Sequence, residues 1–187
     1  MGLFALFRRK PHERAGFELY GTAVAAARQP WFFATLGVPD TLDGRFDLVG
    51  LHVALLIRRL HRDPDRRGPA LAQAVFDAMF ADMDLNLREM GVGDLVVGKR
   101  VKRMWEAFHG RAQAYEAAIA AGDAAAMAAA LRRNVWRAED AGPPPAAALA
   151  LAGYALAAAA ALEGQGMPAL LAGEAHFPPA GAVADAA

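Results

Sequence analysis

Along this 187-residue chain the hydrophobic positions recur at spacings of three and four rather than two, the signature of helices. Phe17, Tyr20 and Val24 step this way through 11–28. Gln29-Pro30 ends that helix, because the residue before a proline is pushed out of the helical region. Residues 31–36 read as a short aromatic turn plugged into the core, and Val38-Pro39-Asp40-Thr41 as a turn and helix start. Within 43–61, Phe46, Val49, Val53, Ile57 and Leu60 share one face while Leu48, Leu51 and Leu55 occupy another. A helix apolar nearly all round belongs at the centre of a fold. Asp63-Pro64-Asp65 and Gly68-Pro69 bracket a charged loop.

Helix 70–90 carries one stripe of Phe76, Met79, Phe80, Met83, Leu87 and Met90. Asp77, Asp84 and Arg88 line one flank, and Asp82 and Glu89 the other. Asp84 precedes Arg88 by four, the favourable acid-first order, worth about 0.3 kcal/mol. Leu85 lies opposite the stripe and marks either a contact surface or a lone exposed leucine. Gly91 is placed for a left-handed cap, and Asp94 to accept from the first amides of the next helix. That helix, 95–121, turns Val97, Val101, Met104, Phe108, Tyr115 and Ile119 inward and Lys99, Arg100, Lys102 and Arg103 to solvent. Gly122-Asp123 breaks the chain before a helix at 124–137 built on Met127, Leu131 and Val135. Pro143-Pro144-Pro145 restarts it into 146–162, and 168–172 adds a last short helix. The fold class is therefore all-α, with no sheet: one compact domain of about six to eight helices over 11–175. An apolar and basic tail (1–10) precedes it and a second tail (176–187) follows.

Composition refines this outline. About a quarter of all residues are alanine, which favours helix and permits close helix–helix approach. The uncharged stretch 141–162 is long enough to span a bilayer, but it is mostly alanine and has no nearby C-terminal Lys or Arg to set a topology. It reads as a packed helix. Without cysteine there is no disulfide framework, thiolate metal site or Cys nucleophile. Twenty basic and twenty acidic residues cancel, which argues against a protein that coats nucleic acid. The balance conceals an asymmetry, because no Lys or Arg follows Arg137. The apolar start precedes Arg8-Arg9-Lys10, the reverse of a secretory signal, and Leu6 stands where myristoylation of Gly2 needs Ser or Thr. The expected location is cytoplasmic, free or peripheral at the inner membrane, with no signal peptide and no transmembrane helix.

Several near-motifs fail on chemistry. Gly93 to Lys99 fits the first seven positions of a phosphate-binding loop. Arg100 replaces the magnesium-binding hydroxyl, however, and a helix precedes the loop where a strand is required. His61-Arg62-Asp63 spells a kinase catalytic triplet without the rest of that machinery. The five histidines (His12, His52, His61, His109, His176) form no metal-ligand spacing, and His52 reads as a hydrogen-bonded core residue. Asp82, Asp84 and Glu89 can be taken as acid–base carboxylates or as a salt-bridged helix flank, and the second reading is preferred.

The informative block runs from Phe80-Ala-Asp-Met-Asp-Leu-Asn-Leu-Arg-Glu-Met-Gly-Val-Gly-Asp-Leu-Val-Val-Gly-Lys99, through Val101-Lys102-Arg103-Met104, to Phe108-His109-Gly110-Arg111 and Tyr115. It resembles the ubiquinol–cytochrome c chaperone family, most closely over 76–115 and more loosely from about Leu19 to Phe177-Pro178. Its length and lack of a clear presequence resemble the bacterial branch. The resemblance implies a non-enzymatic, all-helical assembly chaperone for the cytochrome bc1 complex, without a cofactor or metal of its own. Its client would be newly made cytochrome b. A small partner protein, the ribosome or an anionic membrane surface are further implied contacts, and sequence-specific nucleic acid is not. The family's motif residues fall here at Asp82, Asp84, Arg88, Glu89, Asp94, Lys99, Lys102, Arg111 and Tyr115, with Gly91, Gly93, Gly98 and Gly110 as turn-setting glycines. With Leu85, Arg100 and Arg103 added from the helix faces, these make the candidate client or partner surface. A helical RNA, ribosome or membrane-surface adaptor, and a small carboxylate-centred enzyme, are the alternative readings.

Overall fold

In a computed structural model, the structure describes residues 12–137 and 145–182. The expected tail at 1–10, the acidic pair Glu139-Asp140, Pro143-Pro144 and the end of the C-terminal tail from residue 183 lie outside them. Eight helices make up the described fold, and no strand occurs among the described residues. They are α1 (Glu13–Ala27), α2 (Pro30–Ala34), α3 (Leu42–Arg62), α4 (Gly68–Glu89), α5 (Asp94–Ala121), α6 (Ala124–Val135), α7 (Ala146–Glu163) and α8 (Met167–Leu171).

The fold is organised around α3. Thr41 starts it by accepting a hydrogen bond from the Gly44 amide. From Asp47 to Leu56 every residue is buried, as the all-round apolar pattern requires. Helices α1, α4, α5, α6 and α7 all pack on it. Helix α1 also lies against α4 so closely that a Cβ at Gly16 would sit 2.7 Å from the Ala74 carbonyl carbon, and only glycine admits that approach. Helix α2 is the expected aromatic plug: Phe32 is fully buried, edge-on to His52 and Tyr154.

The uncharged α7 is, by length and composition, a helix that could cross a membrane. In the structure eight of its 18 residues are buried, and it packs on α3 and α6. Ala148, Ala152, Ala155 and Ala159, at steps of four and three, form the small-residue face that lets it approach. Downstream of α8, Phe177 returns to the core and sets its ring 5.0 Å from that of His52.

Gly91 closes α4 in the left-handed region (φ 77°), as its position in the sequence predicts. The expected capping role of Asp94 is not realised. Gly93 occupies the N-cap, Asp94 is the first helical residue, and its carboxylate turns back to Arg88. Asp123, by contrast, caps α6 by accepting from the Ala126 amide at 2.8 Å.

His52 is fully buried on α3 with both ring nitrogens satisfied. The Leu48 carbonyl, 2.7 Å from Nδ1, can only accept, so Nδ1 carries the proton. Nε2 then accepts from the Tyr154 hydroxyl at 2.8 Å, tying α3 to α7. Burial, partly offset by the Leu48 contact, pushes the His52 pKa down to about 4. An unfolded histidine binds a proton below about pH 6.5 while the folded one does not, so His52 lowers stability as pH falls from there to about 4. His52→Gln removes this titration. In denaturant unfolding, the stability advantage of the wild type over His52→Gln is expected to shrink by about 3 kcal/mol between pH 7 and pH 4. An advantage independent of pH contradicts a neutral buried imidazole.

Candidate functional site

The end of α4 and the start of α5 form a clamped turn. Arg88 Nε donates to Asp84 Oδ2 at 2.6 Å, one turn back, and the same guanidinium pairs with Asp94 across the Gly91–Gly93 link. All three side chains are exposed enough that each pair is worth no more than about 1 kcal/mol, so the clamp orients the helices more than it stabilises them.

Beside this turn a cleft of about 600 Å³ opens between α1, α3, α4 and α5. Helix α1 lines it with Tyr20, Val24, Ala27 and Arg28, and α3 with Leu42, Phe46 and Val49. From α4 come Met83, Leu87 and Met90, and from α5 Arg100, Arg103, Met104, Ala107 and Arg111. Phe33 of α2 and Arg137, just past α6, complete the wall. The floor is apolar and the rim is cationic, with six arginines against two aspartates, Asp43 and Asp82. Leu42 and Met90 are half exposed at its mouth.

One buried acid, Asp47, and one half-buried acid, Asp82, brace this cleft. Asp47 on α3 has no exposed side-chain surface and pairs with Arg111 of α5 and, at 3.0 Å, with Arg137. Burial raises its pKa to about 6 although both arginines pull it down, so near neutral pH it is ionised and anchors both guanidinium groups. Asp82 accepts from the Tyr20 hydroxyl at 2.7 Å. Burial, and then that carboxylate, push the Tyr20 pKa well above its ordinary value, so the phenol stays protonated and joins α1 to α4.

The predicted surface therefore divides. Asp82, Arg100, Arg103 and Arg111 meet at the cleft. Lys99 and Lys102 lie outside it, exposed, with Lys102 Nζ 3.8 Å from Glu106. Asp84, Arg88 and Asp94 form the turn clamp, and Leu85 and Glu89 are exposed beside it. Tyr115 is not at a surface. It is buried at 2% exposure and accepts a hydrogen bond from Asn134, and burial raises its pKa to about 12. Arg111 acts first as a core partner of Asp47. Gly91 and Gly93 make the turn, but Gly98 and Gly110 sit inside α5, where a Cβ would meet nothing within 4 Å, so they set no turn.

Sequence reasoning missed the α1 and α3 walls, including Arg28, Phe46 and Asp47. A signal was present: a carboxylate in the middle of an otherwise apolar helix must find a cation. Among the described residues no three His, Asp or Glu side chains are grouped to hold a metal ion. What the cleft offers is an apolar floor with guanidinium groups at its rim.

Comparison with known proteins bears on the family and the fold. The sequence profile of the family described as ubiquinol-cytochrome C chaperone matches residues 34–177. The crystal structure of the Cbp3 homolog from Brucella abortus is similar in fold, with a TM-score of 0.81 and 39% identity over 97% of this chain and 99% of that one. The ubiquinol-cytochrome-c reductase complex assembly factor 1 of Xenopus laevis is 26% identical over 121 residues, 65% of this chain. The chain spans about 60% of the length of that curated relative.

Asp47 is the support of the cleft that mutation can remove most cleanly. Burial holds the Asp47 pKa at about 6, so between about pH 4 and pH 6 the folded protein keeps a proton that the unfolded carboxyl has lost; stability falls as pH rises through this window, and Asp47→Asn is expected to abolish that fall in denaturant unfolding. A fall of unchanged size in the variant contradicts a buried Asp47 carboxyl.

Proposed function

The chain belongs to the ubiquinol–cytochrome c chaperone family, and we propose that it is a non-enzymatic chaperone for assembly of the cytochrome bc1 complex, with newly made cytochrome b as its client. The observation that carries this reading is the likeness to the Cbp3 homolog from end to end, through the α4–α5 block and the helices that flank it. The cleft supports it. A chaperone must hold an apolar segment without reacting with it, and an apolar floor with a guanidinium rim does that. Of the carboxylates that would centre the alternative enzyme, Asp82, Asp84 and Glu89, the first is engaged by Tyr20 and the second by Arg88, which favours the chaperone reading.

Lys99 and Lys102, turned away from the cleft, suit a second contact with an anionic surface such as membrane headgroups. Such a contact supports a peripheral position at the inner membrane.

Deletion of the gene is the direct test. Membranes of the deletion strain are expected to lose b- and c1-type haem absorbance together with quinol–cytochrome c reductase activity, and to regain both with the gene restored. Normal levels of all three, under growth that requires respiration, contradict the proposal.

A further inference from the structure

We propose that the cleft between α1, α3, α4 and α5 seats one amphipathic helix bearing carboxylates, contributed by the polypeptide that the protein holds. This rests on the chaperone reading and names the chemistry of what is held.

Geometry, charge and side-chain chemistry point to the same occupant. Each long wall is a ladder of residues one helical turn apart: Val24 and Arg28 on α1, Phe46 and Val49 on α3, Met83 and Leu87 on α4. Parallel ridges at this pitch are the surface into which a further helix packs. On α5 the lining runs from Arg100 to Arg111, about 16 Å at helical rise, or three turns of a bound helix. Ala107 between them leaves room for a close backbone. The floor includes Met83 and Met104, and Met90 stands half exposed at the lip. Such unbranched, polarisable side chains reshape around different apolar ridges.

The charge selects which helix. Arg45, Arg111 and Arg137 already hold acids of this chain. Arg28, Arg100 and Arg103 enter no ion pair among the described residues, and they come from α1 and α5, two walls of the cleft. Guanidinium groups left over beside an apolar floor take up carboxylates as forks, and a helix with an apolar stripe and acidic flanks supplies both. An anionic lipid offers a headgroup and flexible chains, with no ridges to fit the ladders, and the test separates the two.

The test uses the full chain and a fluorescent peptide of about 14 residues, helical in design, with leucine at i, i+3, i+4 and i+7 and glutamate on both flanks. A twin peptide carries lysine in place of each glutamate. By anisotropy the wild type is expected to bind the glutamate peptide at least about tenfold more tightly than the lysine peptide. The folded double variant Arg100→Glu/Arg103→Glu is expected to reverse that order. Arg28→Glu, on the opposite wall, is expected to weaken the glutamate peptide alone. Should the double variant fail to fold, Arg100→Gln/Arg103→Gln serves, with loss of the preference as the expected result. Equal binding of the two peptides, no binding of either, or variants that leave the order unchanged overturns the proposal. So does displacement of the glutamate peptide by vesicles of phosphatidylglycerol and not by vesicles of phosphatidylcholine, which assigns the arginines to lipid.

In cells, the double variant expressed in the deletion strain is expected to restore less bc1 complex than the wild-type gene. Full restoration by the variant, where deletion itself abolishes the complex, removes the cleft proposal and leaves the chaperone function standing. A deletion without phenotype removes the function instead.

Discussion

Everything in this fold depends on enclosing α3. The middle of this 21-residue helix, from Asp47 to Leu56, is apolar nearly all round and has no side to give to water, so five other helices pack around it. Apolar contact of this kind is strong but indifferent to register. Register comes from three buried polar side chains on α3, each of which catches a different piece of the chain. Asp47 holds Arg111 of α5 and Arg137 beyond α6. His52 holds Tyr154 in the middle of α7. Arg59 donates to the Leu162 and Gln165 carbonyls at the end of α7 and to Asp63. An unpaired polar group at any of these depths costs more than a surface pair contributes, so a slipped helix is penalised three times along one axis.

The cleft is a consequence of that enclosure. Near the start of α3 the wrapping helices leave a gap, lined by Leu42 and Phe46 with the buried Val49 at its base. Asp47 sits directly behind, so the charge that fixes α5 against the core also sets where Arg111 stands in the wall. The Arg88 clamp holds the α4–α5 turn at the edge of the same gap. Residues of the family block therefore serve the core, the turn and the cleft lining together. Arg111 builds the wall, Tyr115 lies in the core bonded to Asn134, and it is Arg100 and Arg103 that the proposal assigns to the client.

Much of this was legible in the sequence. The position of α3 followed from its all-round apolar pattern, the α4–α5 turn from Gly91, and the packed state of α7 from its alanine content. The neutral, hydrogen-bonded His52 followed from its place in an apolar helix. The cleft was not legible, because it is a gap between elements distant in sequence, and periodicity within one helix cannot say which neighbour fails to cover it. The basic patch shows the limit well. Lys99, Arg100, Lys102 and Arg103 share one broad polar arc on α5, yet tertiary packing turns Arg100 and Arg103 into the cleft and leaves both lysines outside. The glycines mislead for a similar reason. Gly98 and Gly110 look like turn residues beside Gly91 and Gly93, but helix propensity is a weak local term and α5 runs through both.

The central claim is that this chain holds cytochrome b before the bc1 complex exists. Pulse labelling of new protein, followed by purification of the tagged full-length chain in mild detergent, tests it most directly. The account predicts labelled cytochrome b in the purified fraction after the pulse, passing during the chase into the assembled complex. Labelled cytochrome b that enters the complex without ever co-purifying with the chain would contradict it.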